Sequence, residues 1–198
     1  MSQHVILALI AFAFVTSITP GPNNLMLMAS GANFGMRRSL PHLLGVAFGF
    51  GGMVALLGLG VDQIITKLPL LAQGLKWVSL TYVLWLAWKI AHAAPPAADD
   101  NGSAARPMSF GAACAFQWVN PKAWMMALGA LSAYSVGAGG VMGVALIFTL
   151  VNLPSVAVWV AMGQGLRGFL ADRRRLRFFN LTMALLLVAS MLPVVTSH

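Results

Sequence analysis

The first 36 residues contain no Asp, Glu, Lys or Arg, and Thr19-Pro20-Gly21-Pro22-Asn23-Asn24 stands in the middle of them. A single helix of that length would be about 54 Å long, against a hydrocarbon core of about 30 Å. One straight span is therefore excluded, and the two prolines supply the interruption. Each lacks a backbone N–H, and Gly21 between them permits unusual dihedrals. Carbonyls near Thr16 to Thr19 lose helical partners, while the amides after Pro22 open a new half-helix. In hydrocarbon such groups are tolerated only around a polar cavity or a bound partner.

The rest of the chain agrees that lipid is its main solvent. It is 59% hydrophobic and 8% charged, with a mean hydropathy of +0.83; a soluble domain carries about 25% charged residues. An ordinary globular enzyme, a disordered tail and a disulfide scaffold are ruled out. The pI near 10.9 fits basic cytoplasmic loops better than nucleic-acid binding. Residues 5–18 are apolar enough for a signal peptide, but no Lys or Arg precedes them and hydrophobicity resumes at Leu25, so a retained segment is expected. Cys114 is the single cysteine and reads as an apolar filler.

Further spans are expected at Leu43 to Val61, Pro69 to Ile90, Phe110 to Tyr134, Val141 to Met162 and Phe178 to Val195. The linker Ala93 to Pro107 separates the halves, and the fourth span is interrupted by Asn120-Pro121-Lys122. Gly45 and Gly49 suit close helix packing. The fold class is thus an all-α integral membrane protein: one transporter domain over residues 1–198, with six transmembrane helices of which the first and fourth are broken by proline. Nine basic residues fall in loops 1–2, 3–4 and 5–6 (Arg37, Arg38, Lys89, Arg106, Arg167, Arg173, Arg174, Arg175 and Arg177), against Lys67 and Lys76 on the other side. That asymmetry puts both termini outside the cytoplasm.

Shifting the sequence by 99 residues lays Pro22 on Pro121 and Asn23 on Lys122. The halves, about 1–99 and 100–198, each hold three spans. Three is odd, so the second half must enter the membrane upside down, the inverted 3+3 repeat of many secondary transporters. Two prolines falling near mid-span by chance, each kinking its helix, is the plainer alternative.

The breaks carry the chemistry. A half-helix amide end attracts an anion and a carbonyl end attracts a cation, and a zwitterionic amino acid offers both. Asn23 and Asn24 add donors and acceptors. Lys122 near mid-membrane costs about 2.5–3.5 kcal/mol on insertion scales and is a functional candidate by default; it could pair with a substrate carboxylate, give up its proton during transport, or snorkel to the interface. Gln117, Asn152 and Tyr82 are candidates to line the cavity. Tyr134 is a weaker one, and the histidines fall near segment ends with no metal-ligand spacing. No catalytic constellation and no cofactor site emerge, so no enzyme is expected.

The motifs Thr19-Pro20-Gly21-Pro22-Asn23-Asn24 and Asn120-Pro121-Lys122-Ala123, with Gly35-x-Arg37-Arg38 between them, resemble those of the LysE/RhtB family of bacterial amino-acid exporters. The stretch from Tyr82 to Ile90 is similar to the branch that exports cysteine and O-acetylserine. The resemblance implies proton-driven efflux of an amino acid or close derivative across the bacterial inner membrane. Its motif positions here are Pro20, Gly21, Pro22, Asn23, Asn24, Asn120, Pro121 and Lys122. The lone Cys114 argues against thiol–disulfide electron transfer, and the scarcity of thiolate, imidazole and carboxylate ligands argues against heavy-metal export. The alternative of another class is a non-transporting membrane scaffold or assembly subunit, and a homo-oligomer is left open.

Overall fold

The computed structural model describes residues 3–61, 69–92, 106–135 and 139–191. Among them the chain is helical throughout: α1 (Gln3–Ile18), α2 (Pro22–Leu56), α3 (Pro69–Ala91), α4 (Phe110–Gln117), α5 (Pro121–Tyr134), α6 (Gly140–Gly165) and α7 (Arg173–Ala189). A π-helical turn extends α2 over Leu57–Val61, and a 3-10 turn, Phe169–Ala171, precedes α7. Two stretches are long and apolar enough to cross a membrane, Pro22–Gly60 and Gly140–Gly165. Asp62, Lys67 and most of the 93–107 linker lie outside the described residues.

Both proline motifs separate helices. Pro22 and Pro121 each occupy the first turn of the helix that follows, where the missing N–H would have no intrahelical partner anyway. Gly21 does not use its conformational freedom: its φ of 179° and ψ of 177° are plain extended backbone. Its small size matters instead, because a Cβ there would lie 2.6 Å from Cδ of Lys122.

Gly35 divides α2. Its φ of 78° and ψ of 169° are non-helical, a conformation glycine adopts without the Cβ penalty. The hydroxyls of Ser30 and Ser39 hydrogen-bond at 2.7 Å across it. Nine residues of straight helix would hold them about 13 Å apart, so the chain folds back at Gly35. The two arms are residues 22–34 and 36–56. Arg37 and Arg38, expected in a loop, therefore begin the second arm, and the loop shrinks to one glycine.

Arg173, Arg174, Arg175 and Arg177 were likewise expected in a loop, and they form the first turns of α7. The Asp172 carboxylate accepts from the backbone amides of Arg174 at 2.9 Å and Arg175 at 3.0 Å. That N-cap, with the good helix propensity of arginine, moves the start five residues earlier than hydrophobicity alone suggested.

Packing places α2 against α6, α1 against α6, α4 against α2 and α3 against α7. Glycines set the closest approaches: a Cβ on Gly45 or Gly49 would come within 2.5 Å of the α4 backbone at Phe110 and Cys114. The expected Gly45/Gly49 contact is thus the seat of α4. Phe50, Phe148, Leu9 and Val144 form the core beneath the first break.

Candidate functional site

The carbonyl end of α1 should be the hardest place in this chain to satisfy, since the last carbonyls of a helix have no intrahelical donor. Every carbonyl there nevertheless has one. Thr19 N donates to Val15 O at 3.3 Å and Thr19 Oγ1 to Thr16 O at 3.0 Å. Asn24 Nδ2 reaches back over the break to Ser17 O and Thr19 O, both at 2.7 Å. Trp159 Nε1, from α6, donates to Ile18 O at 3.1 Å. Lys122 closes the set, its Nζ donating to Thr19 O at 2.7 Å, Thr19 Oγ1 at 3.0 Å and Pro20 O at 3.3 Å.

The carbonyls that lose helical partners at the break are thus all engaged within the chain. The protein's own ammonium holds those of Thr19 and Pro20, because the Lys122 stem lies across the space where Gly21 has no side chain. The opposite polarity is exposed next to it. No side chain caps the first turn of α2, whereas Asn120 caps α5 by accepting from Lys122 N at 3.1 Å. A cation and a half-helix amide end thus face one small cavity of about 20 Å³, with room for about one water.

Of the expected residues, Gly21, Asn23, Asn24, Asn120, Lys122 and Asn152 line this cavity, joined by Thr16, Ser17, Phe50 and Val156. Pro20 contributes a carbonyl, and Pro22 and Pro121 serve as helix starts. Gln117 lies behind the wall, fully buried, with its amide paired to that of Asn23 at 2.8 and 3.3 Å. Tyr82 lies on the wall of a different cavity. Sequence reasoning passed over Thr19 as a ligand of Lys122 and Trp159 as a cap of α1. Only tertiary packing brings Trp159 to Ile18.

Asn24 is buried and holds two α1 carbonyls at once, so its main task is to keep the break in shape. Asn24→Ala is expected to lower stability in detergent by about 1–3 kcal/mol, the cost of leaving buried acceptors unmade. Asn24→Asp, of equal size but without a donor, should do no better; thermal unfolding of the purified variants measures both.

With this geometry in hand, comparison with known proteins is informative. Residues 14–195 match the model of the LysE type translocators. The chain belongs to the LysE family. Three of its relatives are the cysteine/O-acetylserine efflux proteins of Escherichia coli (strain K12), Salmonella typhimurium (strain LT2) and Salmonella choleraesuis (strain SC-B67). Each is 32% identical over 193 residues, covering 95% of this LysE-family chain and 96% of the relative. No solved structure matches. The cavity between the two breaks is the candidate site of this translocator-family chain.

Proposed function

We propose that the chain is a secondary active exporter, moving an amino acid or close derivative out of the cytoplasm across the inner membrane. The observation that carries this reading is the Lys122 ammonium on the Thr19 and Pro20 carbonyls just beyond α1, beside the uncapped amide end of α2. A substrate ammonium can take the place of Lys122 on Thr19 O and Pro20 O. The released Lys122 and the α2 amides then meet the carboxylate. One exchange reads both charges of a zwitterion. The cavity is too small for an amino acid as it stands, so binding requires the halves to part, and transport proceeds by alternating access.

The six-span inverted repeat is part of the same proposal. Helix boundaries support it: α1 ends at Ile18 and α4 at Gln117, α2 begins at Pro22 and α5 at Pro121, each pair 99 residues apart. The turn at Gly35 matches the end of α5 at Tyr134 in the same register. Packing exchanges in the same way, since α1 lies on α6 and α4 on α2. The residue after each proline also reaches over the opposite half: Asn23 to Gln117 on α4, Lys122 to Thr19 beyond α1. We further propose both termini outside the cytoplasm and the proton gradient as the driving force.

The names of the relatives make cysteine and O-acetylserine the first substrates to test. Proteoliposomes loaded with a mixed amino-acid panel should export at least one member, and an uncoupler should stop uphill movement. Export of none would overturn amino-acid specificity; efflux indifferent to the uncoupler would overturn proton coupling. A scaffold would show neither transport nor sensitivity to Lys122.

A further inference from the structure

A second, larger cavity of about 540 Å³ lies between the first arm of α2, the last turns of α3 and the segment leading into α4. That is within the range of small-molecule sites. At its wall is His42, 2% exposed, with neither Nδ1 nor Nε2 bonded to any group among the described residues. A neutral imidazole has one donor and one acceptor, and leaving buried polar groups unmade is costly enough that native proteins rarely do so. Polar side chains on the same wall are bonded elsewhere. Ser30 is bonded to Ser39 at 2.7 Å, and the amide of Asn33 to Ala29 O at 2.8 Å and to Asn180 at 2.9 Å.

The other groups around this cavity favour an anion. Lys89, with its ammonium 4.5 Å from the centre of the Trp85 ring, and Arg106 contribute positive charge. So does the start of α4, whose cap Ser109 and first-turn Ala112 line the space. His92 is the remaining titratable imidazole, its Nδ1 donating to Trp88 O at 2.8 Å. Among the described residues, no acidic side chain lines the cavity. Tyr82, stacked on Trp85 at 5.4 Å, forms an apolar wall.

We propose that this cavity is a second amino-acid site, in which His42 and Arg106 bind the carboxylate and the aromatic wall takes the uncharged remainder. It would capture substrate on the basic face before transfer to the break, and in this it rests on the export reading. First-arm residues line both cavities, Asn24 the smaller and Met26 to Asn33 the larger, so one helical segment joins them.

The test uses the purified full chain in detergent and O-acetyl-L-serine as probe, with binding followed by calorimetry. The Lys122→Met protein should still bind the probe, and the methyl ester of the probe, which lacks the carboxylate, should not bind it. Adding His42→Ala to Lys122→Met should weaken binding about 10-fold or more, the order expected for one hydrogen bond to a charged group. Arg106→Gln, at an exposed position where folding is not at stake, should weaken it several-fold and decides the matter if the His42 variant does not fold. Loss of all binding in Lys122→Met, equal binding of the ester, or affinities within 2-fold of the parent in both variants would overturn the second site. Failure of the export reading looks different: binding persists while the unsubstituted protein exports no amino acid.

Discussion

Lys122→Met is expected to abolish export, by about 100-fold or more, while leaving the protein folded. Methionine keeps the length and apolar stem that lie across Gly21. Thr19 O retains its bond from Asn24 and Thr19 Oγ1 its bond to Thr16 O, so only Pro20 O is left without a described partner, a stability cost of about 1–3 kcal/mol offset by no longer burying an ammonium in the membrane. What disappears is the cation that, in the proposed mechanism, exchanges with substrate. Equal elution profiles and melting temperatures, with efflux reduced to background in proteoliposomes, are the expected results. Lys122→Arg should recover little, because a planar guanidinium is too wide for the space that Gly21 leaves and cannot present one compact charge to three oxygens. Unchanged efflux in Lys122→Met would end the exchange mechanism.

Gly163→Val should have the second large effect, this time on folding. A Cβ at Gly163 would come closer than 3.0 Å to Met28 O and Ala32 N, and one at Gly31 would collide with the Val160 backbone. The first arm of α2 and α6 therefore touch backbone to backbone, as small residues permit in lipid. Backbone cannot rotate aside as a side chain can, so the helices must part, at a cost of about 3 kcal/mol. The arm that moves carries Asn23 and Asn24. Loss of monodisperse protein, or a melting temperature too low to measure, is the expected outcome. Gly52→Ala is the control: nothing lies within 4 Å of its added Cβ, so stability should hold or rise slightly by about 0.5–1 kcal/mol. Equal behaviour of the two variants would refute the close contact.

Much of this was legible because proline and glycine act locally. Pro22 and Pro121 fix helix starts whatever surrounds them, and Gly45 and Gly49, four residues apart, leave one groove. Burial was not legible. In lipid an outward side chain is as apolar as an inward one, so Phe178, 74% exposed, and Phe148, fully buried, look alike in sequence. Amphipathic periodicity, which marks the core face of a soluble helix, has little to report here. The reversal at Gly35 left a signal, a glycine before two arginines, but nothing local distinguishes a one-residue turn from a short loop. The occupants of the α1 carbonyls left none. Trp159 and Lys122 reach them from more than 100 residues away, through packing that no spacing encodes.

The ammonium resting on Thr19 and Pro20 also bears on what this membrane protein keeps out. A cluster of unshielded carbonyls at mid-membrane is a ready cage for sodium or potassium, and a carrier that let them ride would drain the gradients the cell maintains. A tethered cation is present at high effective concentration and never leaves with the cargo. Inorganic ions, which bring no carboxylate to re-house the displaced lysine, compete poorly against it. On the proposed export reading, the same tether would weaken apparent affinity for the amino acid, a tolerable loss in a carrier that loads from a concentrated cytoplasm and must let go on the far side. Under the proposed exchange, Lys122 would work as a reusable stopper, lifted only by a molecule with both charges.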